Sequence, residues 1–104
     1  MIPVIVRRHL YVSAPAPAGI YCMETVRSVH AVPRPGDFIE LADGWSAEQV
    51  KDCTFLERGN VIIELLPVKT DDPARIAEDY RLVDDHRWRW AGASPGRPVV
   101  TEGP

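Results

Sequence analysis

Val32-Pro33-Arg34-Pro35-Gly36-Asp37-Phe38-Ile39-Glu40-Leu41 is the stretch that sets the character of this chain. Two prolines and a glycine force a turn, and an alternating apolar/polar segment follows at once. Phe38 and Glu40 point one way and Ile39 and Leu41 the other, the two-residue period of a β-strand. Farther along, Val61-Ile62-Ile63-Glu64-Leu65-Leu66 reads as a second, stronger strand. The residues just before it, Glu57-Arg58-Gly59-Asn60, read as a hairpin turn. These pieces specify a meandering β-rich core and no reaction.

Toward the N-terminus, residues 2–12 alternate as well, with Ile2, Val4, Val6, Leu10 and Val12 in phase and Arg8 as the one break in that face. The other face carries Ile5, Arg7, His9 and Tyr11 and should be partly exposed. The Ala/Pro run from Ser13 to Gly19 is a stiff, polyproline-like connector; docking on an aromatic groove is its weaker reading. Residues 20–31 fit a bent strand or a short helix, and β-branched Thr25, Val26 and Val29 tip the balance to strand. After Leu41, Ala42-Asp43-Gly44 makes a turn and Trp45 caps the core. Ser46 and Gln49 have capping-box spacing, which would open a helical turn. Val50, Cys53 and Phe55 instead favour a strand over roughly 49–56, running into the hairpin.

The clearest helix signal comes late. Asp72 before Pro73 is an N-cap acid ahead of a proline at the first helical position. Ile76, Tyr80 and Val83 then recur at helical spacing with Ala77 beside them, so a helix should run over 73–83 and end near Asp84. Arg75 and Asp79 have the spacing of an i,i+4 ion pair. His86-Arg87-Trp88-Arg89-Trp90 alternates as a last strand. Residues 93–104, with three prolines and two glycines, form a flexible tail to a single β-rich domain over 1–92. The fold expected is α+β and mainly β: a small, twisted antiparallel sheet of five or six strands, or a partly open SH3-like barrel, with one short helix near 73–83.

Composition narrows the function classes. The chain has 104 residues, of which 45% are apolar, enough for one core without disulfides or metals. Ten prolines favour short strands and irregular connections. Net charge is −3, unevenly spread: residues 37–86 hold thirteen acids against five bases, while both ends are basic. An acidic middle repels phosphate, so nucleic acid is disfavoured as a partner. Cys22 and Cys53 have no CxxC-type spacing and read as reduced thiols. The run Met1 to Val6 is too short for a signal core or a membrane span, which points to the cytoplasm.

No motif carries catalysis. There is no HExxH, no glycine-rich phosphate loop and no nucleophile elbow. Ser13, Ser28, Ser46 and Ser94 have no local base. Asp84-Asp85-His86 is the best metal candidate by residue type, with His9 or His30 as additions. A solvated helix exit explains these three residues better, because neighbouring side chains diverge. No cofactor is expected.

The segment from His86 to Trp90 carries the functional weight. Tryptophan beside arginine suits stacking, cation–π contact and protein hot spots, although the favoured reading is that both tryptophans seal the barrel or sheet and the arginines face water. If the first strand lies beside the last, Arg7 and Arg8 join Arg87, Trp88, Arg89 and Trp90 in a basic, aromatic stripe. Asp71, Asp72, Glu78, Asp79, Asp84 and Asp85 form an acidic flank, either an interaction face or simply the wet side of the helix.

The turn and strand at 32–41, followed by the 61–65 strand, resemble short SH3-like β-barrel accessory proteins of phages and GC-rich bacteria, in which a Val-Pro-Arg-x-Gly-Asp turn leads into a small sheet. The likeness covers residues 32–66. It implies a barrel and an accessory role and carries over no catalytic residue. The function expected is a non-enzymatic protein-binding module, an accessory or inhibitor protein acting through a charged surface on another protein. The alternative is a small nucleic-acid-binding barrel using the Arg/Trp face. A homo-oligomer through an edge strand fits either.

Overall fold

The long first strand organises everything else. The protein is described by a computed structural model, which covers residues 1–14, 18–41, 46–83 and 87–91. Strand β1 (Ile2–Val12) pairs antiparallel along its whole length with β2 (Gly19–Val29), from Ile2 opposite Val29 to Val12 opposite Gly19. On its other side β1 runs parallel to β5 (Val61–Leu65) and then to β6 (Val68–Thr70), which Pro67 separates. β5 is also the second arm of a hairpin with β4 (Glu48–Phe55). Gly59, at φ 90°, makes the turn, closed by its N–H donating to Leu56 O at 2.9 Å. Two-residue strands end the sheet: β3 (Phe38–Ile39) on β4 and β7 (Arg89–Trp90) on β2. The order is β3-β4-β5-β1-β2-β7, with β6 on β1, and the sheet does not close.

Several expectations hold. β1, β2, the 57–60 turn and helix α1 (Pro73–Val83) lie where the residues placed them. Strand, not helix, is the outcome after Ser46. Others need correction. Among the described residues the sheet has seven strands and is mixed, because β1 takes parallel partners on one side. Only two of the residues at 37–41 pair as strand, although their alternation survives: Phe38 and Glu40 are exposed, Ile39 and Leu41 half-buried. The last strand lies beside β2 and not beside β1. Arg75 and Asp79 form no ion pair. The polyproline connector (15–17), Trp45 and its turn, the Asp84-Asp85-His86 trio and the 93–104 tail lie outside the described residues.

Alternation puts Val4, Val6, Arg8, Leu10 and Val12 on one face of β1, all buried. Tyr21, Met23, Val50, Ile63 and Leu65 join them from the neighbouring strands. Ala77, Ile76 and Tyr80 of helix α1 pack on this core face, as do Val32, Ile39 and Leu41. Asp72 caps the helix, its Oδ1 accepting the Arg75 N–H at 3.2 Å. Trp88 is buried and meets Tyr80 edge-on, with ring centroids 5.1 Å apart.

Arg8 is a buried charge on the core face, 4% exposed. Its Nη1 donates to the Tyr80 hydroxyl at 2.7 Å and its Nη2 to Glu48 Oε1 at 2.8 Å. The break in the apolar pattern of β1 therefore ties β1, β4 and α1 together. Burial pushes the Tyr80 phenol up, against the opposing pull of the adjacent Arg8.

Candidate functional site

The sheet has two faces of different character. One carries the core. The other, the outer face, takes the odd residues of β1 and the even residues of β2 and β5. Cross-strand register fixes the row at its centre: Arg7 sits opposite Glu24 on one side and Glu64 on the other, and Glu24 faces Arg89 on β7.

The charges in that row alternate. Arg7 Nε and Arg89 Nη2 each approach Glu24 at 3.1 Å, one on each carboxylate oxygen. Two strands away, Glu64 Oε2 is shared by His9 Nδ1 at 3.3 Å and Lys51 Nζ at 3.5 Å. The Glu24 side chain is only 12% exposed, held down between its two arginines, whereas Arg89 is 67% exposed. Such pairs contribute little to stability individually in water, but they hold long side chains in fixed positions.

Apolar residues flank the charges. Ile5 pairs with Val26 on β2 and Ile62 on β5, and Tyr11 pairs with Ile20. Val26, Ile20 and Tyr11 are exposed. A row of ordered charges bordered by exposed apolar side chains has the mixed composition of a protein–protein contact surface.

Cys22 lies on the same face, opposite His9. Burial pushes its thiol up to about 11, with Arg7 opposing and Glu24 and Glu64 reinforcing the rise. A thiol so placed stays protonated at neutral pH and makes a poor nucleophile. Cys53 packs against the core on the opposite face, and both cysteines are free. Among the described residues no group of three or more His, Cys, Asp and Glu is arranged to hold a metal ion.

The structure divides the stripe expected from sequence. Arg7 and Arg89 meet on the outer face through Glu24, a residue sequence reading did not single out. Arg8 and Trp88 are buried in the core and do not belong to the outer surface. Trp90 is half-buried, edge-on to Tyr21 at 6.0 Å between ring centroids. Arg87 is exposed and lines a pocket beside the second half of β2, to which Val26 also contributes. In the acidic flank, Asp71, Glu78 and Asp79 are exposed, Asp72 serves as helix cap, and Asp84 and Asp85 fall outside the described residues.

Glu24 and Glu64 gave little signal because an acid within a strand reads as solvated. Only the pairing partners show that each carboxylate is gripped by two basic side chains.

Comparison with known protein families, with curated proteins and with solved structures finds no match. Among the described residues, no helix is long and apolar enough to cross a membrane.

Proposed function

We propose that the protein is a non-enzymatic protein-binding module whose contact surface is the outer face of the sheet. The observation that supports this best is the ordered row Lys51–Glu64–His9 and Arg7–Glu24–Arg89, bordered by exposed Val26, Ile20 and Tyr11. Alternating charge gives a partner both signs to match, which favours orientation and specificity. It suits phosphate poorly, because Glu24 and Glu64 stand between the bases. The resemblance of residues 32–66 to SH3-like accessory proteins of phages and GC-rich bacteria supports an accessory or inhibitor role, with the β3–β5 unit as the part that corresponds to their small sheet.

The test is capture of a partner from lysate of the source organism, with and without nuclease. Val26→Arg and Arg89→Glu change exposed side chains of the outer face; Arg87→Gln serves as a control elsewhere. The expected result is a stoichiometric protein that survives nuclease, is lost with the two outer-face variants and is kept by the control. Capture indifferent to the outer face overturns the assignment. Capture abolished by nuclease and by modest salt moves the function to single- or double-stranded nucleic acid.

A further inference from the structure

On one side the sheet ends at β4 for much of that strand's length. β3 and the turn before it cover β4 as far as Val50, whose N–H donates to Asp37 O and whose carbonyl accepts the Gly36 N–H, each at 2.8 Å. Beyond Val50 this edge of β4 has no partner strand among the described residues.

The hairpin decides which groups stand on that edge. Leu56 N–H donates to Asn60 O, so Leu56 and, by alternation, Thr54 turn their backbone groups toward β5. Cys53 and Phe55 turn theirs the other way, N–H and C=O alike. The devices that usually protect an edge are a bulge and charged side chains. Here they stand at Lys51 and Asp52, ahead of the bare segment. Phe55 is 70% exposed although it shares the core-facing side of the strand with Cys53, and Leu56 next to it is exposed as well. Asp52, Glu57 and Arg58 are exposed and enter no ion pair among the described residues.

We propose that residues 52–56 of β4 pair with the same residues of a second copy, antiparallel about a two-fold axis at Thr54. Such an axis makes one strand complementary to itself. The N–H and C=O of Cys53 meet those of Phe55 in the second copy, and the reverse, so every bare backbone group is engaged. A register two residues away sets Phe55 against the bulge at Lys51, or Cys53 against the turn at Glu57. In the proposed register the turn of each copy comes beside the bulge of the other, Glu57 toward Lys51 and Arg58 toward Asp52, opposite charges in both cases. On the core-facing side the two Phe55 side chains lie on the diagonal of the pairing, within reach for aromatic rings. An unrelated strand satisfies the backbone groups alone; a second copy also brings the matching charges and the second ring. The pairing stands whether or not the outer face binds another protein.

The test is sedimentation equilibrium of the purified full chain at low ionic strength, with circular dichroism to show that each variant keeps the parental fold. The parent is expected to dimerise with a midpoint of roughly 0.1 mM, as suits a contact at the small end of interface sizes. Thr54 is exposed and faces its own counterpart across the axis. Thr54→Arg and Thr54→Asp therefore each set like charges opposite each other, and each should weaken association about fivefold, the upper end for a cross-strand pair. An equimolar mixture of the two should associate at least as tightly as the parent, because the facing charges are then opposite. A parent still monomeric at about 1 mM overturns the proposal and leaves the edge to a strand of another protein. Association equal in the parent and both variants, or a mixture no tighter than its components, overturns it as well.

Discussion

Replacing Arg8 by alanine should be among the most damaging single changes this protein can suffer. The guanidinium is nearly inaccessible and makes two short bonds, to Tyr80 at 2.7 Å and Glu48 at 2.8 Å. Breaking a buried ion pair by removing one partner costs about 3–5 kcal/mol. Glu48 keeps some access to water, its side chain being 22% exposed, which lowers the expectation to about 3 kcal/mol. At about 4–8 °C per kcal/mol for a domain of this size, the melting temperature should fall by roughly 12–24 °C. Urea unfolding followed by far-UV circular dichroism and by tryptophan fluorescence gives the free energy, Trp88, edge-on to Tyr80, being one of three tryptophans that contribute to the signal. The double variant Arg8→Met with Glu48→Leu should recover to within about 1 kcal/mol of the parent, because a well-packed apolar pair replaces a buried ionic one at little net cost. A single variant within about 0.5 kcal/mol of the parent would mean that the side chain behaves as a surface group. The burial of Arg8 and its role in docking the helix would then both be refuted.

Trp88→Ala should cost about 3–5 kcal/mol in the same urea assay, whereas half-buried Trp90 should cost clearly less; equal losses would contradict their different burial. Asp72→Ala removes the helix cap and should cost about 1 kcal/mol; a thermal scan showing no change would mean that the cap is not formed. The Cys22 thiol should react slowly with iodoacetamide at pH 8 in the folded protein and faster as pH approaches about 11. Its folded value lies above the ordinary 9.0, so the associated stability is complete below pH 9 and is lost as pH rises toward about 11. Rapid alkylation at pH 7 without unfolding would refute the burial of that thiol.

Much of the fold was legible because it is written locally. The alternation of residues 2–12 identifies both faces of β1, and the Asp72-Pro73 start with Ile76, Ala77 and Tyr80 identifies the helix. Pairing partners are a different matter. Nothing near Ile5 announces that it will run parallel to Ile62, and the three residues of β6 are too few to show a period. The candidate surface was hidden for the same reason. Arg7 and Arg89 stand out as bases, but Glu24 links them only once β2 lies between their strands. Arg8 looked like the neighbour of Arg7 and is instead its opposite, turned inward toward residues far along the chain.

The position of β1 also bears on how the chain folds as it is made. Its hairpin partner β2 follows immediately, but its other neighbour, β5, begins only at Val61. At synthesis rates of about 5–20 residues per second, the thirty or so residues between them take roughly 2–6 s to appear. During that interval Ile5, Val6 and Arg7 lie along a bare strand edge, the arrangement that invites pairing with another chain. Nascent copies on neighbouring ribosomes therefore meet at their most adhesive, and slow decoding between β2 and β5 should lower the yield of folded protein without changing a single native contact.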